Sequence, residues 1–137
     1  MKAFIDTSAL LKKYIEEKGS LELNEFLSKI SEITVSPVYL IEAYSVFERR
    51  LKEKILGESQ AFWLKDEVKK DYNFFNKVIF NENLMNKALH LTEKYHLKTL
   101  DSVQLASGCL ADSEVFLTSD KRLFDIAKRE LKFAKFV

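Results

Sequence analysis

Five short β-rich runs, KAFI (2–5), ITVS (33–36), KVIF (77–80), EVFLT (114–118) and FAKFV (133–137), recur along the chain with helical patterns between them. This alternation constrains the fold more than any other feature, because strands separated by helices pair in parallel through right-handed crossovers. The expectation is an α/β protein, a three-layer α/β/α sandwich around a central parallel sheet of about five strands. A chain of 137 residues is the size of one domain, 1–137, with a single core. In such sheets ligands bind at the carboxyl ends of the strands, where strand order reverses.

The intervening segments carry apolar residues at the helical period. Ala9, Leu10 and Tyr14 open the first, which breaks near Gly19 before Leu23, Phe26, Leu27 and Ile30 resume the period. The next starts with Pro37 at the first helical position and carries a stripe of Leu40, Tyr44, Phe47, Leu51 and Ile55. A helix from about Glu58 to Phe75 sets Ala61, Leu64, Val68, Tyr72 and Phe75 on one face, and leaves Phe62 and Trp63 off it. Leu84, Ala88, Leu91 and Tyr95 mark a fourth, TLDSVQLASGCLA (99–111) a fifth, and Leu123, Ile126, Ala127 and Leu131 a sixth.

Composition narrows the function classes. With 47% apolar and 12% aromatic residues the chain is neither a disordered tail nor a linker. Its 22 basic and 21 acidic side chains leave a net charge of only +1, so no global field draws it to a polyanion. Nucleic acid must then be held by a local patch or through metal ions. The single cysteine, Cys109, makes no internal disulfide and reads as a small core residue, which points to the cytoplasm. The opening run MKAFIDTSALL is broken by a charge too early for a signal peptide or a membrane span.

The acidic residues divide into two groups. Glu25 with Lys29, Glu48 with Lys52, Asp66 with Lys70 and Asp125 with Arg129 have bases at helical spacing, the ordinary pattern of a solvated face. Asp6, Glu42, Asp101 and Asp120 have none. Asp6 and Asp120 follow strands and are placed to cap the helices after them, and Asp101 with Gln104 matches a capping box. Glu42 falls between Val38 and Val46 on a second apolar face of its helix, with Arg49 about 10.5 Å farther along the axis. A carboxylate there requires something positive from elsewhere in the fold.

Four caps and accidents are a less economical explanation than one cleft. Two carboxylates about 4 Å apart repel by about 4 kcal/mol at an effective dielectric of 20, and a divalent cation removes that penalty. Oxygen ligands without Cys or His suit Mg²⁺ or Mn²⁺. Zinc is disfavoured, since His90 and His96 lack ligand spacing and read as solvated. The chemistry expected of such a site is metal-assisted, in-line hydrolysis of a phosphodiester. Arg49, Arg50, Lys12, Lys13, Lys121 and Arg122 are candidate phosphate contacts.

The ordered set FIDTSAL, SPVYLIEAYSVFERR with its acid, TLDSVQLASG and FLTSDKRL resembles a PIN-domain ribonuclease, most closely the VapC-type toxins of toxin–antitoxin pairs. The resemblance spans essentially the whole chain. It implies a sheet with the first strand central, and a pocket in which Asp6, Glu42, Asp101 and Asp120 hold Mg²⁺ or Mn²⁺ directly or through water. It further implies cleavage of RNA to 5′-phosphate and 3′-hydroxyl ends, with Ser8 and Thr118 at hydroxyl positions near the metal or scissile phosphate. A homodimer and a small DNA-binding antitoxin are the partners it implies. Other readings are an RNA-processing or repair nuclease and a non-catalytic binding module on the same fold. A phosphotransferase of the haloacid dehalogenase type takes a second acid two residues after the first, where this chain has Ser8.

Overall fold

The computed structural model describes residues 1–137. The chain runs β1 (Lys2–Ile5), α1 (Thr7–Leu10) with a 3₁₀ turn at Leu11–Lys13, α2 (Ser20–Leu27), β2 (Glu32–Val35), α3 (Tyr39–Lys52) and α4 (Glu58–Tyr72). It continues through β3 (Asn76–Lys77), α5 (Glu82–Tyr95), α6 (Thr99–Leu110), β4 (Val115–Thr118), α7 (Lys121–Glu130) and β5 (Ala134–Phe136). Every strand pairing is parallel, in the order β3-β2-β1-β4-β5. The five-stranded sandwich is as expected, and β1 is central.

Alternation along the central strands divides the core between the two faces of the sheet. Ala3 and Ile5 of β1, with Val115 and Leu117 of β4, pack with Leu10, Leu23, Tyr39, Phe47, Leu64 and Val68 on the face covered by α1 to α4. Phe4 and Phe116 point the other way and pack with Leu84, Leu91, Leu105, Leu123 and Ile126 of α5 to α7. The sheet therefore separates two half-cores. Cys109 is half-buried against the second of them.

The second helix departs from its predicted pattern. Pro37 stands in the turn before α3, which begins at Tyr39, and the buried stripe is Tyr39, Ala43 and Phe47. Leu40 and Tyr44 are only half-buried, Ile55 is exposed, and Leu56 takes the buried place beside it. Tyr39 stacks on Tyr72 and meets the edge of Phe75, so packing against α4 decides which of two adjacent apolar rows turns inward. Phe62 and Trp63 remain exposed at 77% and 57%. Of the predicted helical ion pairs, Asp66–Lys70 forms at 2.9 Å. Glu48 pairs instead with Lys65 of α4, Asp125 with Lys121 and Lys128, and Glu25 with no base.

Candidate active site

The strand order reverses between β1 and β4, and the chain leaves both at the same end of the sheet. Asp6 follows β1 directly, its N–H donating to the Leu117 carbonyl at 2.9 Å. One Asp6 oxygen caps α1 by accepting from the Ser8 N–H at 3.3 Å. The other accepts from the Thr118 hydroxyl at 2.5 Å and the Ser8 hydroxyl at 2.8 Å. The two hydroxyls expected beside the site thus both hold Asp6, and each also accepts a backbone N–H, Ser8 from Ser119 and Thr118 from Asp120.

Asp120 caps α7 through the Leu123 N–H at 2.9 Å, which engages one of its two oxygens. Glu42 lies in the first turn of α3 and Asp101 in the first turn of α6. Four chain segments therefore bring carboxylates to one place, each at the start of a helix. All four acids line a single cleft of about 530 Å³, together with Thr7, Ser8, Gln104, Arg49 and the apolar Val38, Ile41, Val46 and Leu100.

The capping box expected of Asp101 and Gln104 does not form. The helix starts at Thr99 with Lys98 at the cap, so Asp101 sits inside the first turn and Gln104 is free for another task. Gln104 is buried, and its amide donates to Glu42 Oε1 at 2.5 Å and to the Thr7 hydroxyl at 2.8 Å. Thr7 donates to the same Glu42 oxygen at 3.0 Å. Glu42 thus meets two neutral donors and not the protein cation expected from its burial. Thr7 and Gln104 were missed as site residues. Their signal in the sequence was a polar side chain at a helix position that packing buries, which the capping box explained away.

None of the four acids forms an ion pair, although the molecule has a dozen such contacts elsewhere. Burial pushes the Asp6 carboxyl up to about 6, against the pull of its hydroxyl partners, and the charge of Glu42 adds to the rise. Burial also raises Glu42, with Asp101 contributing, and raises Asp101, with Asp120 contributing. Each acid feels the next.

Three of the six predicted phosphate-contacting bases are committed elsewhere. Lys12 donates to the Val137 carbonyl, Lys13 binds Asp71, and Arg50 faces Glu17. Arg49 is exposed, lines the cleft and has no acidic partner. Lys121 and Arg122 stay beside Asp120, and Lys98 and Arg122 offset in part the rise of the Asp101 carboxyl that burial causes.

A divalent cation fits the chemistry of this donor set. Glu42 Oε2, both oxygens of Asp101 and Asp120 Oδ2 are uncommitted, all are hard oxygen donors, and none is ion-paired, Lys98 and Arg122 acting on Asp101 only from a distance. No three His, Cys, Asp or Glu side chains stand in a geometry that grips an ion between them. Mg²⁺ does not need that grip, since it commonly binds through one or two carboxylates and keeps several waters. The direct four-ligand cage is the part of the expectation that this geometry does not support. His90 and His96 are exposed on α5 and its carboxyl end, away from the cleft.

A parallel α/β sandwich carrying unpaired carboxylates at its strand-order reversal defines the class. The PIN domain model matches residues 3–129, and the chain belongs to the PIN domain family. No curated protein sequence matches it. Among solved structures it is similar to VapBC2 from Rickettsia felis bound to a DNA fragment from their promoter, at 12% identity and TM-score 0.71 over 100% of this chain and 99% of that one. It is also similar to VapBC-1 from nontypeable Haemophilus influenzae (12% identity, TM-score 0.68, 99% and 98% covered). A toxin-antitoxin complex from Klebsiella pneumoniae matches at 19% identity and TM-score 0.66, over 89% of each chain. At such identities the likeness is one of fold.

Proposed function

We propose that this protein is a Mg²⁺- or Mn²⁺-dependent endoribonuclease and the toxin of a toxin–antitoxin pair. The observation that carries the reading is the convergence of four carboxylates on one cleft, none of them ion-paired to a protein cation. Membership of the PIN domain family supports nuclease chemistry, and the VapBC and toxin–antitoxin structures of similar fold support the antitoxin partner.

Asp6, Glu42, Asp101 and Asp120 would hold the ion, some through water. When bound, it supplies the positive charge that makes a water more acidic and offsets charge developing on the phosphate oxygens. Ser8 and Thr118 fix the Asp6 carboxylate from one side of the cleft, and Thr7 with Gln104 fix Glu42 from the other, leaving its second oxygen free. Arg49 is the cleft cation available to meet a substrate phosphate. Ile41 and Leu100 form apolar walls where nucleobases leave water. The expected product ends are 5′-phosphate and 3′-hydroxyl. The exposed Phe62 and Trp63 are assigned to a homodimer contact, and the protein to the cytoplasm; no helix is long and apolar enough to cross a membrane.

The decisive experiment compares RNA cleavage by the wild type, Asp6→Asn and Asp101→Asn, with Mg²⁺, with Mn²⁺ and in EDTA. Cleavage is expected only for the wild type with a metal, each substitution removing at least 100-fold. Activity in EDTA, or undiminished in both variants, would overturn the reading.

A further inference from the structure

The last 17 residues, Lys121 to Val137, carry six basic side chains against two acidic ones, in a chain whose net charge is only +1. The excess is not spread evenly. Lys121 and Lys128 lie on one face of α7 and both hold their ammonium groups over the Phe124 ring, at 5.1 and 4.6 Å. Lys121 also lies 5.7 Å from the ring of Phe136 on β5, and the two rings are 5.9 Å apart. The two lysines share one acid, Asp125, at 3.8 and 3.1 Å. A net positive, aromatic patch results, with Phe136 41% exposed.

Its position gives the patch a purpose. The helix that carries Lys121, Phe124 and Lys128 begins at Asp120, in the acidic cleft. Phe136 pairs in register with Thr118, the residue whose hydroxyl holds Asp6. The patch therefore continues from the cleft along α7 and the sheet edge, and the ten residues of α7 span about 15 Å. Phosphates find ammonium groups there, and a base finds an aromatic ring, the combination that holds single strands without reading sequence. The cleft itself offers a polyanion only Arg49.

We propose that the α7–β5 surface binds the single-stranded RNA that runs out of the cleft, with Lys121 and Lys128 on phosphates and Phe136 stacked on a base. The proposal rests on the cleft being the RNA-cleaving site. Cation–π contacts at exposed sites are weak, so the lysines are held in place yet free to turn to phosphate. The opposite end of β5 provides an internal control: Lys132 lies 5.5 Å from the exposed Phe133 ring, the same chemistry remote from the cleft.

The test measures the affinity of a short single-stranded oligoribonucleotide by fluorescence anisotropy over a range of salt, in the Asp101→Asn background so that the probe is not cut. Lys121→Ala with Lys128→Ala is expected to lower affinity and to reduce the slope of log K against log salt by about 1.4, two phosphates' worth. Phe136→Ala and the better-packing Phe136→Leu should each lower affinity about tenfold at unchanged slope. Lys132→Ala with Phe133→Ala should leave both quantities as they are. Overturning results are lysine variants no different from that control, Phe136 variants that bind normally, or a duplex RNA that competes as well as the single strand. Wild-type protein that cuts RNA while these variants bind it normally refutes the surface alone. Surface-dependent binding by a wild type that cuts nothing refutes the nuclease reading alone.

Discussion

Asp6 has two tasks in tension. It caps α1 and accepts two hydroxyls, which favour its charge, yet burial raises its carboxyl to about 6 against an ordinary value near 3.8. A folded-state pKa above the unfolded one means that the native state binds the proton more tightly. Stability therefore falls as pH rises from about 4 to about 6, and the full penalty, on the order of 2–3 kcal/mol, applies above that window. In chelator-treated protein, Asp6→Asn is expected to raise the melting temperature at pH 7.5 and to have little effect near pH 4. Equal effects at both values would refute this account. Protons compete with the cation for this carboxylate, so metal-dependent cleavage should weaken as pH falls. Glu42 supports a second test. Thr7→Val and Gln104→Leu each remove a donor from Glu42 Oε1. Each is expected to weaken Mn²⁺ binding by calorimetry about three- to tenfold, with Thr7→Ser retaining wild-type affinity. In a Glu42→Gln background the added Gln104→Leu change should have no further effect on Mn²⁺.

α6 shows what the sequence made legible at the level of elements. Its apolar pattern placed a helix over 99–111, and the structure has one over Thr99–Leu110. A capping box at Asp101 would put the cap three residues later than Lys98, where it stands, and that match left Gln104 out of the cleft although Asp101 was placed in it. Helix ends are set by where the chain turns into the helix, and α6 begins after Lys98 with no side-chain cap to mark it in the sequence. The shifted stripe of α3 comes from packing: the sequence offers two adjacent apolar rows, and only contact with α4 selects between them. Four strands fall where their runs predicted, and β1 and β4 deliver Asp6 and Asp120 as the strand-end rule requires; the run 77–80 does not, since β3 is only Asn76–Lys77, an edge pairing two residues long that leaves Val78 to Phe80 outside the sheet. One contact in α6 was beyond any single-sequence argument. A Cβ at Gly108 would meet the Phe116 ring at 2.4 and 2.6 Å and Phe4 at 3.3 Å. Those rings are stacked at 5.3 Å in the second half-core and cannot give way cheaply. Gly108→Ala is expected to destabilise the protein by about 1–3 kcal/mol in urea unfolding. Since α6 carries Asp101 and Gln104, weakened Mn²⁺ binding should accompany the loss. A neutral substitution would show that the helix can move off the sheet without cost.

Across the whole molecule, apolar surface is distributed unevenly between what folding uses and what it leaves. The inner stripe of α4, with Ala61, Leu64 and Val68, is buried, and Phe62 and Trp63 on the same helix are not. Sequence periodicity had left two explanations for these aromatics, a helix covered on two sides or an open patch; the fold covers α4 on one side only. Large exposed aromatics on a stable element mark an interface more often than chance, and a dimer of ordinary size buries about 800 Å² on each partner. Trp63 is the only tryptophan, so its emission reports directly on this patch. Dilution is expected to shift that emission to longer wavelength as the dimer dissociates, in step with a halving of mass by analytical ultracentrifugation. Phe62→Glu, which leaves the fluorophore intact, should give the monomer mass and the red-shifted emission at every concentration, with the melting temperature nearly unchanged because 77% of that side chain already faces solvent. A wild type that sediments as a monomer throughout, with concentration-independent emission, would remove α4 from any self-association.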